Sequence, residues 1–196
     1  MKHINEGYCG INSFFDAYGL PFAALRLTSF IKAADSRKIW KGGGKSCPSD
    51  LVLFAEKIEG LLEAGFQLAS DKKVNEKAIL NKDSELILTN YDFYLSSYYI
   101  DNNPRHALPR HLDSEEFINP YSVLHKVVES YTEKEWKACL NNILHHALSP
   151  FNIYESSGIP MLSLLRIYIL LHKFIEACYL IDMRIMKKVK AKKVTK

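Results

Sequence analysis

Apolar residues along most of this chain recur at alternating steps of three and four, the spacing of a helix that buries one face. One such seam in the first half of the chain comprises Leu51, Phe54, Ile58, Leu61, Gly65 and Leu68. A second seam near the other end comprises Leu164, Ile167, Leu171, Phe174, Cys178 and Ile181. The pattern predicts an all-α fold in which helices pack through these seams.

The same pattern occurs twice along the chain. When the sequence is shifted by 113 residues, 8–70 lies on 121–183 without a gap, and core-type positions and helix boundaries coincide. We therefore predict an internal duplication, with a first three-helix unit at 8–70 and a second at 120–183. The two units together are expected to form one helical bundle.

Capping residues predict where the helices of the second unit begin. Asn119 is suited to the N-cap of a helix and Pro120 to its first position. Thr132 and Glu135 have the spacing of a capping box and predict a helix that runs through Ala147.

The last helix follows a loop rich in Ser, Gly and Pro at 149–160. Beside its seam, this helix carries further apolar residues at Leu165, Tyr168, Ile169, Leu170 and Ile175. We therefore expect apolar residues around most of its circumference, as in a helix with neighbours on several sides. Such a helix would be the central element where the two units meet.

The segment 71–119 connects the two units. It begins polar and then carries an aromatic-rich run. The spacing in this run suits one face of a helix at about 84–101, formed by Ile87, Tyr91, Tyr94, Leu95 and Tyr98. The residues that follow, 102–111, include two prolines and no apolar periodicity, which indicates a loop.

Composition and charge narrow the class of protein. Hydrophobic residues make up 47% of the 196 residues and charged residues 24%, as in an ordinary globular protein. The net charge of +4 arises from a basic tail at 184–196, because the residues before it carry 19 basic against 22 acidic side chains. The tail lysines could contact nucleic acid or form a solvated helix end, and they are Lys187, Lys188, Lys190, Lys192, Lys193 and Lys196.

Other signals point to an ordinary intracellular protein. The first residues lack an apolar run after a basic start, so we expect no secretory signal and a cytoplasmic location. The apolar segment 161–186 is interrupted by charges and is expected to be a core helix rather than a membrane span. Cys9, Cys47, Cys139 and Cys178 are far apart, which predicts free and mostly buried thiols.

The stretch KGGGKS at 41–46 resembles the end of a nucleotide-binding phosphate loop. That motif requires a glycine at the position of Ile39, and it follows a β-strand, whereas the preceding residues have helical spacing. We therefore predict a connector loop between the second and third helices, and no cofactor.

The pair Arg166 and His172 fits the pattern of an arginine followed, after four to six residues, by a histidine. This pattern resembles that of the HEPN domains, which are helical ribonucleases. The resemblance implies a catalytic Arg166 and His172 at a dimer interface. The sequence departs from the family at Ile167, where a polar residue is usual, and six residues place the two side chains about 120° apart around a helix.

Two pairs with the spacing of one helical turn, His125 with Glu129 and His172 with Glu176, could each face a common ion. Helical carboxylate metal sites use a different order and spacing of Glu and His, so we expect these acids to be solvated or hydrogen-bonded to neighbouring helix ends. We therefore predict no metal site, and these four residues are the alternative.

These observations favour a non-enzymatic, all-helical protein that acts through protein interactions, with a homodimer as one form. Two alternatives stay open. One is a HEPN-like ribonuclease, and the other is a nucleic-acid-associated regulator that uses the basic tail.

Overall fold

The computed structural model of the protein describes residues 2–40, 47–71, 79, 109–157 and 161–194. Within these ranges the chain is all-α and has no strand, as predicted. The helices are α1 (Lys2–Ala17), α2 (Leu20–Asp35), α3 (Pro48–Ser70), α4 (Ser114–Ile118), α5 (Tyr121–Ser130), α6 (Glu133–Ala147), α7 (Ile153–Ser157) and α8 (Met161–Val194). The predicted helix at 84–101 and the KGGGKS stretch lie outside the described residues.

Both predicted seams are buried in one hydrophobic core. All six residues of the α3 seam and all six of the α8 seam have less than a tenth of their surface exposed. The Phe174 ring of α8 packs directly against Gly65 of α3, where a Cβ atom would lie 2.6 Å from that ring. The burial confirms that the three-and-four spacing identified the packed faces.

Capping groups set the helix boundaries largely as expected. At α6, the Thr132 hydroxyl accepts from the Glu135 amide, and the Glu135 carboxylate accepts from the Thr132 amide, so the capping box is confirmed. At α5 the prediction was wrong by one residue, because Asn119 ends the short α4 and Pro120 is the N-cap. The amide of Asn119 donates to Glu115, which belongs to α4.

The predicted loop at 149–160 contains a short helix, α7. The Asn152 side chain accepts a hydrogen bond from the Glu155 amide and thereby caps this helix. A five-residue helix is too short to show a periodic apolar pattern, so the loop-rich composition hid it.

The helix α8 contacts α1, α2, α4 and α5 and is the central element, as expected. Every residue from 174 to 181 is buried. The expectation that neighbours pack on several sides of this helix is wrong for its first turns, where the apolar side chains of Leu165 and Ile169 are exposed by 52% and 39%. No described helix has the length and apolarity to cross a membrane.

The connector contains α4. A second capping box, formed by Asp113 and Glu116, lies at the start of this helix. Arg184 belongs to this region rather than to a free tail, because its guanidinium donates to the carbonyl oxygens of Phe117 and Ile118 at 2.6 and 3.2 Å. The α8 backbone continues to Val194, so Lys187, Lys188, Lys190, Lys192 and Lys193 lie within this helix.

The four cysteines are free, as predicted, but two of them, Cys9 and Cys47, are exposed rather than buried. Burial raises the pKa of the Cys139 thiol to about 11, so this thiol is neutral at pH 7.

Candidate functional site

A cavity of about 370 Å³ lies between the first turns of α2, the middle of α8 and the segment 109–112. Leu20, Pro21, Ala24 and Leu25 line its α2 side. The opposite side is polar and is formed by Arg110, His111, Tyr168, His172 and Glu176. The cavity therefore combines an apolar wall with a cluster of titratable side chains.

Glu176 fixes the segment that forms one wall of the cavity. Its carboxylate accepts hydrogen bonds from the backbone amides of Arg110 at 2.9 Å, His111 at 2.8 Å and Leu112 at 3.3 Å. The His111 ring adds a fourth contact through Nδ1, 2.8 Å from Glu176 Oε1. Because a carboxylate only accepts, His111 Nδ1 carries the proton in this contact. The buried charge of Glu176 is thus compensated by four N–H groups.

Thr28 determines how His172 is protonated. The Thr28 hydroxyl donates to the Ala24 carbonyl at 2.9 Å, so its oxygen accepts from other neighbours. His172 Nε2 lies 3.3 Å from this oxygen, and the Tyr168 hydroxyl lies 3.4 Å from it. Nε2 therefore carries the proton of His172, and Tyr168 donates to Thr28.

The two histidines stack on each other. Their ring centroids are 4.4 Å apart with an interplanar angle of 27°, and Tyr168 meets the His172 ring edge-on at 4.4 Å. Burial, with a smaller contribution from the charge of His111, lowers the pKa of His172 to about 4. His172 is therefore neutral at pH 7.

A second cavity of about 550 Å³ continues along the groove between α2 and α8. It shares Thr28 and Tyr168 with the first cavity. Its other lining is mostly apolar and consists of Ile31, Tyr154, Met161, Leu164 and Leu165, with Lys32 and Asp35. The groove is thus polar at one end and apolar at the other.

Arg166 and His172 occupy different environments on α8. Arg166 is exposed, whereas His172 is only 2% exposed and is held by Thr28 and the stacked ring of His111. The structure places His111, not Arg166, against His172. The ribonuclease assignment of the pair stays a prediction.

The four residues considered for metal binding do not form one site. Across the part of the chain that the structure describes, no three His, Cys, Asp or Glu side chains are placed to hold a metal ion. Glu176 instead accepts N–H groups of the segment 110–112, which lies outside the helices, whereas the sequence predicted solvent or neighbouring helix ends as the partners of the recurring acids. His125 and Glu129 lie on α5, half-buried and exposed respectively.

His111 and Thr28 were missed from the sequence. His111 lies in a predicted loop, 65 residues from its carboxylate partner, and Thr28 lies 144 residues from His172. No local spacing signals contacts of this range, because tertiary packing alone creates them.

Comparison with known protein families, with curated proteins and with solved structures gives no match.

Proposed function

We propose that this chain is a non-enzymatic interaction module and that the face between α2 and α8 binds a second copy of the chain. The observation that carries the proposal is an exposed apolar stripe on α8. Met161, Leu165 and Ile169 follow one another at steps of four and are exposed by 71%, 52% and 39%. Apolar side chains that line up on one face of a helix mark an interaction surface more often than scattered ones do.

Features beside the stripe favour a second copy as the partner. Met161 and Leu165 border the apolar cavity of about 550 Å³, so this face carries both protruding side chains and a recess that could receive them. Lys32 and Asp35 line the same recess and carry opposite charges. In a two-fold dimer each patch meets its own copy. A face that carries protruding side chains and a recess, and charges of both signs, is therefore complementary to itself.

The oligomeric state of Leu165→Lys tests the proposal. A lysine at this position would place a charge in the dimer interface and should weaken association by a factor of 10 or more, on the order of 1.4 kcal/mol. Sedimentation velocity over a range of protein concentrations measures the change. Leu53→Lys is the matched control, because Leu53 is 48% exposed on α3 and lies outside this face.

We expect the wild type and Leu53→Lys to dimerise alike and Leu165→Lys to sediment as a monomer. A wild type that stays monomeric at every concentration would refute the proposal. So would a Leu165→Lys dimer as stable as that of the wild type.

We also infer that the two three-helix units arose by duplication. The shift of 113 residues carries the end of α1 at Ala17 onto the end of α5 at Ser130. It also carries the first residue of α2 onto that of α6, and the first residue of α3 onto that of α8. This agreement of boundaries without insertions supports the duplication.

A ribonuclease that uses Arg166 and His172 is the second hypothesis. In its favour, Arg166 directly follows Leu165, a residue of the exposed apolar stripe, in the sequence. The HEPN resemblance implies a site at a dimer interface. The burial of His172 counts against it, since substrate would have to displace the contacts with Thr28 and His111.

A further inference from the structure

We propose that the segment 109–112 is an acid-sensitive latch, which closes the polar end of the groove between α2 and α8 at neutral pH and opens in mild acid while the helical core stays folded. The proposal does not rest on dimerisation. It is carried by the contacts that this segment makes with two residues of α8, Glu176 and His172.

A single carboxylate of α8 holds the segment in place. Glu176 accepts hydrogen bonds from three consecutive backbone amides, those of Arg110, His111 and Leu112, and from the His111 ring. All four residues of the segment keep part of their surface exposed, whereas α2, on the other side of the cavity, buries seven residues. The segment is therefore the part of the cavity wall that can open locally without unfolding of the core.

The His172 ring lies against the segment in an environment that suits its neutral form. It stacks on the His111 ring with the centroids 4.4 Å apart, and its Nε2 donates to Thr28. Its Nδ1 has no hydrogen-bond partner among the described residues. A second proton would thus place a charge and an unpaired N–H group on a residue that is only 2% exposed.

The other charged and titratable groups around the cavity do not favour a proton on His172. They are Arg110 and His111 on the segment, and Tyr168 and Glu176 on α8. The residues that α2 contributes to the lining are not titratable, and the other helices contribute none. Glu176 is the one acid of the lining, and the four N–H groups of the segment already compensate its charge. In the closed form, burial first and the charge of His111 second lower the pKa of His172 to about 4.

The direction of the pH effect follows from where the proton binds. When the segment leaves, His172 is hydrated and its pKa returns towards the ordinary value of 6.5, so the open form takes up a proton that the closed form excludes. The closed form is therefore fully stabilised above about pH 6.5 and loses stability as the pH falls towards 4. With these two pKa values, the equilibrium constant for opening rises roughly 20-fold between about pH 7 and about pH 5.

Amide hydrogen exchange of the full chain, measured residue by residue by NMR at about pH 7 and about pH 5, tests the proposal. Each rate is divided by that of an unprotected amide at the same pH, which leaves the protection due to structure. We expect the amides of Arg110, His111 and Leu112 to lose protection roughly tenfold or more at the lower pH. Unchanged protection of these amides would overturn the proposal.

The buried residues 174–181 of α8 show whether the opening is local. Their amides should stay roughly 100 times better protected than those of 110–112 at both pH values, because they exchange only when the core unfolds. Equal protection of the two groups would mean that the segment opens only by global unfolding, and the latch would then be excluded.

His172→Gln assigns the effect to this ring. The glutamine amide can still donate to Thr28, but it does not titrate. In this variant the amides of 110–112 should change protection by less than about threefold between the two pH values. His125→Gln is the matched control and should behave as the wild type, because His125 is half-buried on α5 and does not line the cavity. A wild-type acid response in His172→Gln would contradict the proposal.

The wild type alone keeps the test decisive if His172→Gln does not fold. Its histidine ring signals, followed by NMR as the pH is lowered, report the protonation of His172 directly. We expect this ring to be neutral at about pH 5 in molecules whose segment is closed. Protonation of His172 near pH 6.5 with the segment still protected would refute the latch.

Discussion

Glu116 is a buried carboxylate that joins α4 to two other helices. It is 2% exposed, and its oxygens accept from Lys126 of α5 at 2.7 Å and from Lys173 of α8 at 2.6 Å. The backbone amide of Asp113 donates to the same carboxylate at 3.1 Å. A buried charge is tolerated when it is paired in this way, and loss of one partner is costly.

These contacts make the free energy of unfolding depend on pH in the acidic range. Burial by itself would raise the pKa of Glu116, but hydrogen bonds from Lys126, Lys173 and the Asp113 amide outweigh it and lower the pKa from 4.5 to about 2. Because the folded pKa lies below the unfolded one, the stabilisation is complete above about pH 4.5 and is lost as the pH falls towards 2. We expect a loss of about 3 kcal/mol of folding stability when this group is fully protonated.

Urea unfolding of the wild type and of Glu116→Gln, from about pH 6 down to about pH 2.5, measures this contribution. The variant should be less stable at the upper pH, and its free energy of unfolding should fall less steeply in acid. Glu115→Gln is the control, because Glu115 is the exposed neighbour on α4 and should keep the wild-type profile. An equally steep acid decline in Glu116→Gln would exclude Glu116 as its source.

The sequence identified Glu176 as a candidate residue, but it did not identify the groups that contact its carboxylate. It gave solvent or neighbouring helix ends as the expected partners of Glu176, whereas the structure gives this carboxylate three amides of the segment 110–112, outside the helices. It did not identify His111 or Glu116. Both pair with residues of α8 more than 50 positions away, and such pairings depend on how the helices are placed rather than on any local pattern.

Among the helices, the contact of α3 with α8 depends on the absence of a side chain at Gly65. A Cβ atom there would lie 2.6 Å from two carbon atoms of the Phe174 ring, and that ring is buried. Gly60 lies five residues earlier on the same helix, and a Cβ atom there would meet nothing within 4 Å. The two glycines thus share a helix but differ in the space around them.

We therefore expect opposite effects from the same substitution at these positions. Gly65→Ala should destabilise the protein by about 1 to 3 kcal/mol, because the Phe174 ring has to shift within a close-packed core. Gly60→Ala should stabilise it by roughly 0.5 to 1 kcal/mol, since alanine favours the helix interior. Urea unfolding of both variants measures the difference. A neutral Gly65→Ala would mean that the Phe174 ring does not pack this closely against Gly65.

The long helices could be predicted because their seams span many turns, and capping residues fixed several of their ends. The short helices α4 and α7 were not predicted, since five residues make little more than one turn and show no periodicity. The exposure of Leu165 and Ile169 was also missed. Hydrophobicity shows that a residue can be buried, but whether a neighbouring helix covers it depends on the whole arrangement.

At the scale of the molecule, the helices pack in reciprocal pairs under the proposed duplication. The second helix of each unit, α2 or α6, contacts the third helix of the other unit, α8 or α3. The two second helices also contact each other. The hydroxyls of Tyr8 and Tyr121, which are 113 positions apart, lie 2.9 Å from each other. Equivalent residues meet in this way near a two-fold axis, so these contacts favour two units related by internal two-fold pseudosymmetry.

A crystal structure of the full chain tests this relation between the units. Superposition of the Cα atoms of 8–70 on 121–183 at the gapless offset of 113 should give a smaller deviation than any offset changed by one helical turn, about three or four residues. The rotation that relates the units should be close to 180° about an axis that passes near Tyr8 and Tyr121. Neighbouring offsets serve as the control, because a single helix superposes on another after a shift of one turn, whereas three helices with their loops do not. A comparable fit at another offset would remove the support for duplication and leave two unrelated helical units that share one core.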